Sequence, residues 1–64
     1  MPATQPGPTV EQQRAETFRE LGFSTTHAFL LAATRQGGQY VQVADVQRML
    51  EGGCTHEMAL RILL

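Results

Sequence analysis

Sixty-four residues, 42% of them hydrophobic and none of them tryptophan, fit one small domain with an aliphatic core; a chain of this size buries only about 60% of the surface its unfolded form exposes. Six acidic residues and five arginines leave a net charge of -1, with no lysine and no basic stripe able to neutralise several phosphates, so nucleic acid is not the expected partner and a polybasic membrane anchor is excluded within this segment. The single Cys54 cannot form an internal disulfide, no apolar run approaches the roughly 20 residues of a bilayer crossing, and a reducing cytoplasmic or nuclear setting is expected.

The first eight residues, MPATQPGP, hold all three prolines and no apolar periodicity, and are read as a disordered lead or linker. A single domain is expected over residues 9–64, with a core at 10–51 and an appended helix at 55–64. Thr9 followed three positions later by Gln12 is a capping-box pattern, which starts a helix at Val10 and carries it to about Leu21. Its inward stripe is Ala15, Phe18 and Leu21, with Val10 on the same side. Arg14 falls beside that stripe, where its stem can lie on apolar surface while its head stays in water.

Gly22 follows at once. It can take the left-handed backbone that closes a helix, which a residue with a side chain adopts only at a cost of about 1 kcal/mol or more. Ser24, Thr25 or Thr26 can cap a second helix, whose body Ala28–Ala33 is apolar on most faces and is expected to lie centrally and to end at Gly37-Gly38. The segment Tyr40–Glu51 is two-sided. Tyr40–Val43 alternates like a strand, whereas Val43, Val46, Met49 and Leu50 repeat like a helix. Helix is the reading adopted, because a lone strand has no evident pairing partner. Gly52-Gly53 stop that segment, and Thr55 can cap a last helix with Met58, Ala59, Ile62 and Leu63 as candidates for burial. The expected fold is therefore all-α, a small orthogonal three-helix bundle with a fourth C-terminal helix.

The run Leu21-Gly22-Phe23, with Phe18 three residues before it, an Ala- and Leu-rich second helix and Met49-Leu50 late in the third, resembles a ubiquitin-associated domain over about Val10 to Leu50. That family is often marked by a Met-Gly-Phe or Met-Gly-Tyr loop after its first helix. Here Leu21 stands in place of the methionine, the linker Gln39–Gln42 is longer than the family's, and Ala44 or Asp45 fills a slot where small apolar residues prevail. The resemblance implies a non-enzymatic module that binds ubiquitin or a ubiquitin-like protein, such as the modifier attached to cullins, weakly and without covalent chemistry. The residues it assigns to the contact are Leu21, Gly22, Phe23, Met49 and Leu50. Similar modules also lie within larger RNA-degrading nucleases, where they contact other parts of their own protein or a regulator. Val46–Leu64 itself reads as a helix, a glycine turn and the start of another helix, an overlapping second unit in which Gly53-Cys54 stand where Gly22-Phe23 stand.

Each marked residue has a plainer reading. Leu21-Gly22-Phe23 can be a helix terminus with two core residues. Met49 and Met58 sit at core spacing. Cys54, His56 and His27 are too few and wrongly spaced for structural zinc, so no metal or other cofactor is expected. Cys54 lacks a positioned base, and Glu16 and Glu20, one turn apart, lack a cleft that would dehydrate them, so no catalytic residue is assigned. His27 and His56 are read as solvated. The last helix carries more apolar residues than a three-helix core can cover, which marks Met58, Leu60, Leu63 and Leu64 as an alternative interface for an intramolecular partner or a homo-oligomer. It also suggests a piece of a larger protein.

Overall fold

The structure, a computed structural model, describes residues 9–64; the lead expected over residues 1–8 lies outside them. Four helices follow in order, α1 (Val10–Glu20), α2 (Thr25–Ala33), α3 (Val43–Glu51) and α4 (His56–Leu63). Between α2 and α3 runs a short antiparallel ribbon of β1 (Arg35–Gln36) and β2 (Gln39–Tyr40). The chain is thus a small, mostly helical bundle with a fourth helix, as its pattern predicts.

Local chemistry fixes the ends of α1. Thr9 Oγ1 accepts from the Gln12 amide at 3.1 Å, while Gln12 Oε1 accepts from the Thr9 amide at 2.9 Å, so both halves of the capping box form. At the other end Gly22 has φ 104°, the Gly22 amide donates to the Arg19 carbonyl at 2.9 Å and the Phe23 amide donates to the Phe18 carbonyl at 3.2 Å. This is a Schellman motif, and the apolar contact that usually accompanies it is present: the Phe18 and Phe23 rings meet edge to face, 6.2 Å between centroids. Ser24 Oγ then accepts from the His27 amide and opens α2.

The same hinge is built a second time. Gly53 has φ 96°, its amide donates to the Leu50 carbonyl at 3.1 Å, the Cys54 amide donates to the Met49 carbonyl at 3.0 Å, and Thr55 Oγ1 accepts from the Met58 amide. At one constant offset along the chain, Gly53, Cys54, Thr55 and Ala59 repeat Gly22, Phe23, Ser24 and Ala28, and both alanines are fully buried. The bundle is two helical hairpins of like construction, joined by the ribbon.

The ribbon corrects two expectations. Helix α2 stops at Ala33 rather than at the glycine pair, because Thr34 is already extended (φ -75°, ψ 132°) and leads into β1. Gly37 (φ 61°) and Gly38 (φ 83°) supply the two consecutive positive φ angles of a type I′ hairpin turn, and they pair Arg35 with Tyr40 and Gln36 with Gln39. Tyr40 therefore belongs to a strand whose partner is the segment just before the turn, and α3 begins at Val43 instead of Tyr40.

Nine buried apolar residues form one core, and six of them belong to α1, the first hinge and α2: Ala15, Phe18, Phe23, Ala28, Leu31 and Ala32. Helices α1 and α2 share the most extensive interface, with Val41 from the connection after β2 and Val46 and Ala59 from the other hairpin completing the cluster. Helix α2, apolar on most faces over Ala28–Ala33, is not enclosed on all sides as a central helix would be. Its Ala28, Leu31 and Ala32 side is covered, while Phe29 and Leu30 face out, and Val10 at the tip of α1 is likewise exposed.

Candidate protein-docking surface

Two polar ties position the hinge and the ribbon, and neither was legible from periodicity. Arg14 is the first. Its head, only partly withdrawn from water, turns across the end of α2, where Nε donates to the Ala32 carbonyl at 3.0 Å and Nη2 donates to the carbonyls of Leu31 and Val41. A guanidinium at a helix C-terminus meets open carbonyls and the negative end of the dipole. It also lies over the Phe18 ring at 5.4 Å and the Tyr40 ring at 4.7 Å. Burial lowers the Arg14 pKa from its ordinary value, a shift that the Tyr40 phenol and the Glu11 carboxylate oppose.

Tyr40 in turn meets a second cation, the Arg35 guanidinium, 4.6 Å from its ring centroid. Its hydroxyl donates to Glu11 Oε2 at 2.7 Å and accepts from Arg35 Nη2 at 3.2 Å. That hydrogen bond raises the Arg35 pKa. Glu11, Arg14, Tyr40 and Arg35 together pin the ribbon against the start of α1.

His56 is the second tie. Although exposed, it is not the free surface residue expected: its Nε2 lies 2.7 Å from the Leu21 carbonyl and its ring stands edge-on to Phe23, 4.8 Å between centroids. Because a carbonyl can only accept, Nε2 carries the proton in this bond. A Cβ placed on Gly22 would fall 2.7 Å from that same nitrogen.

The sequence-derived contact residues are distributed unevenly over this surface. Gly22 is exposed and Leu21 half-buried, but Phe23 keeps only 5% of its surface and serves the core. Met49 and Leu50 are half-buried on α3 and pack against the same core cluster as Leu21. A groove runs between the first hinge and the start of α4, floored by Phe23 and Leu60 and edged by His27, His56 and Glu57.

On α4 the buried side is Ala59, with Leu60 and Leu63 half-covered. Met58 and Ile62, expected inside, are 53% and 63% exposed, because they share the face one step around the helix from the side that Ala59 presents to the core. Leu64, the C-cap, is exposed as well, on another side of the helix. Of the alternative interface residues, Met58 and Leu64 are open and Leu60 and Leu63 are half-covered; Ile62 belongs with them and was missed because its helical spacing also suits burial.

Glu16 and Glu20 stand exposed along the outside of α1 beside Arg19, and Cys54 is a half-buried free thiol. Among the described residues there is no group of three or more His, Cys, Asp or Glu side chains able to hold a metal, and no helix is long and apolar enough to cross a membrane. Comparison with protein-family models, curated proteins and solved structures finds no match.

Proposed function

We propose that this chain is a non-enzymatic protein-interaction module that binds ubiquitin or a ubiquitin-like protein, weakly and non-covalently, at the first hinge and the end of α3. The observation that supports the reading is the form of the hinge: a Schellman turn that leaves Gly22 exposed beside the His56 ring and Leu21 half-exposed, in a Leu-Gly-Phe run that resembles the family's loop with leucine for methionine. Met49 and Leu50 supply the apolar positions of α3. The contacting residues are Leu21, Gly22, Met49 and Leu50, with Phe23 acting from beneath as the support of the loop. A patch this small gives fast, low-affinity binding, since ordering and desolvation offset much of the contact energy. Such a module acts in the cytoplasm or nucleus, where modified proteins are found.

Titration of isotope-labelled protein with unlabelled ubiquitin tests this. Amide shifts concentrated at Leu21–Phe23 and Met49–Gly52 are expected, and silence up to millimolar ubiquitin overturns it.

A second reading is favoured by the exposed apolar side chains of α4, Met58 and Ile62 on one face and Leu64 at its end, which suit a helical docking or oligomerisation domain acting within a larger assembly. Concentration-dependent sedimentation in the absence of ubiquitin supports this reading.

A further inference from the structure

Helix α4 lies against the first hinge, with His56 at the backbone of Leu21 and Gly22 and at the Phe23 ring that supports them. Phe23 is the largest apolar side chain of the loop, yet it is 5% exposed, and the groups at its outer edge come from α4: the His56 ring at 4.8 Å, with Leu60 in the same groove. The His56 ring also occupies the space over Gly22, and its Nε2 takes the Leu21 carbonyl. Three consecutive backbone or side-chain positions of the loop are thus engaged by a single residue of another helix.

That cover is lightly attached. Of the nine core residues α4 contributes only Ala59, whose side chain is a single methyl, while Leu60 and Leu63 are half-covered and Met58 and Ile62 face out. Its other polar tie is one exposed bond of 3.4 Å from Gln36 Nε2 to the Leu63 carbonyl. It joins α3 through the Gly52-Gly53 turn, which the Gly53 and Cys54 amides tie back to the end of α3 rather than to the first hairpin. The hairpin of α1 and α2 keeps six core residues of its own and the Arg14 tie across its open end.

We propose that α4 is an intramolecular cover for the ubiquitin-binding surface, held closed by the His56–Leu21 bond and the His56–Phe23 contact, and that partner binding draws on the fraction of molecules in which it has lifted. The inference rests on the proposed function, of which it is the regulation. An equilibrium of this kind divides the intrinsic affinity by the open fraction, so loosening the cover tightens apparent binding.

The experiment is a ubiquitin titration of the wild type, His56→Ala and Thr55→Ala, joined to native-state amide exchange on the wild type. Thr55→Ala removes only the N-cap of α4 and serves if His56→Ala does not fold. Expected are an apparent Kd lowered about threefold or more in the variants, and α4 amides that open more readily than those of α1 and α2. Unchanged or weaker binding in the variants, where the wild type binds, overturns the cover and leaves the proposed function standing. Exchange of α4 only through global unfolding overturns it as well. Absence of binding in all three proteins removes both.

Discussion

His56 Nε2 and the Leu21 carbonyl meet at 2.7 Å across two helical hairpins that are far apart in sequence, and this bond places an imidazole over the one residue of the first hinge that has no side chain. Gly22 is required there for φ 104°, and a Cβ on it would push the exposed His56 ring off the Leu21 carbonyl. Gly37, with φ 61° and nothing within 4 Å of a Cβ, meets only the first demand. Gly22→Ala should therefore cost about 2 kcal/mol or more, and Gly37→Ala about 1 kcal/mol. Urea midpoints of the two variants measure the difference, and equal losses would refute the steric half of the argument.

Arg14 joins three carbonyls that belong to two different segments, so its loss frees acceptors at the end of α2 and loosens the chain at Val41. Arg14→Lys keeps the charge but not the fork, and should retain little of the stabilisation. A loss of about 2 kcal/mol in urea unfolding is expected for Arg14→Lys and at least as much for Arg14→Ala. A neutral Arg14→Lys would mean that charge alone suffices.

Phe18 is fully buried and supports Phe23 beneath the hinge. Phe18→Ala costs about 3–5 kcal/mol in a typical core, which equals the whole stability that a single core of this size supplies. The variant should be largely unfolded at 25 °C, seen as loss of helical circular dichroism. A cooperative thermal transition near that of the wild type would contradict the assignment of the core.

Tyr40 offers a gentler test of the ribbon. Tyr40→Phe keeps the ring's contacts with Arg14 and Arg35 but loses the bonds to Glu11 and from Arg35, both of them exposed. A loss of about 1 kcal/mol is expected, and Tyr40→Ala should lose more, since the two cation–π contacts go as well. Equal values for the two variants would show that the ring contributes nothing.

What could be read from the sequence was what local chemistry decides. Thr9 with Gln12, and glycine followed by an apolar residue and a hydroxyl, act through bonds between residues a few positions apart, so spacing reveals them. The repeated hinge at Gly53-Cys54-Thr55 was visible for the same reason. The ribbon was hidden because two-residue strands have no periodicity and because Gly37-Gly38 suit a helix stop as well as a hairpin turn. The outward face of α2 was hidden because TTHAFLLAA offers apolar residues on every side, leaving the choice to packing. Arg14 and His56 find their partners 17 to 35 positions away, where no local pattern reaches. Phe23, packed on Phe18 within the core and met at one edge by His56, is buried by contacts that spacing alone does not reveal.

The most direct test of where a partner docks compares two substitutions on opposite sides of α4 in one ubiquitin titration followed by amide shifts. Leu21→Ala removes apolar surface at the first hinge, and Ile62→Asp places a charge on the exposed face of α4. The account predicts that Leu21→Ala weakens binding about threefold or more, a loss of roughly 1 kcal/mol, while Ile62→Asp leaves the shifts at Leu21–Phe23 and Met49–Gly52 unchanged. Binding that survives Leu21→Ala and disappears with Ile62→Asp would contradict it and move the docking surface to α4.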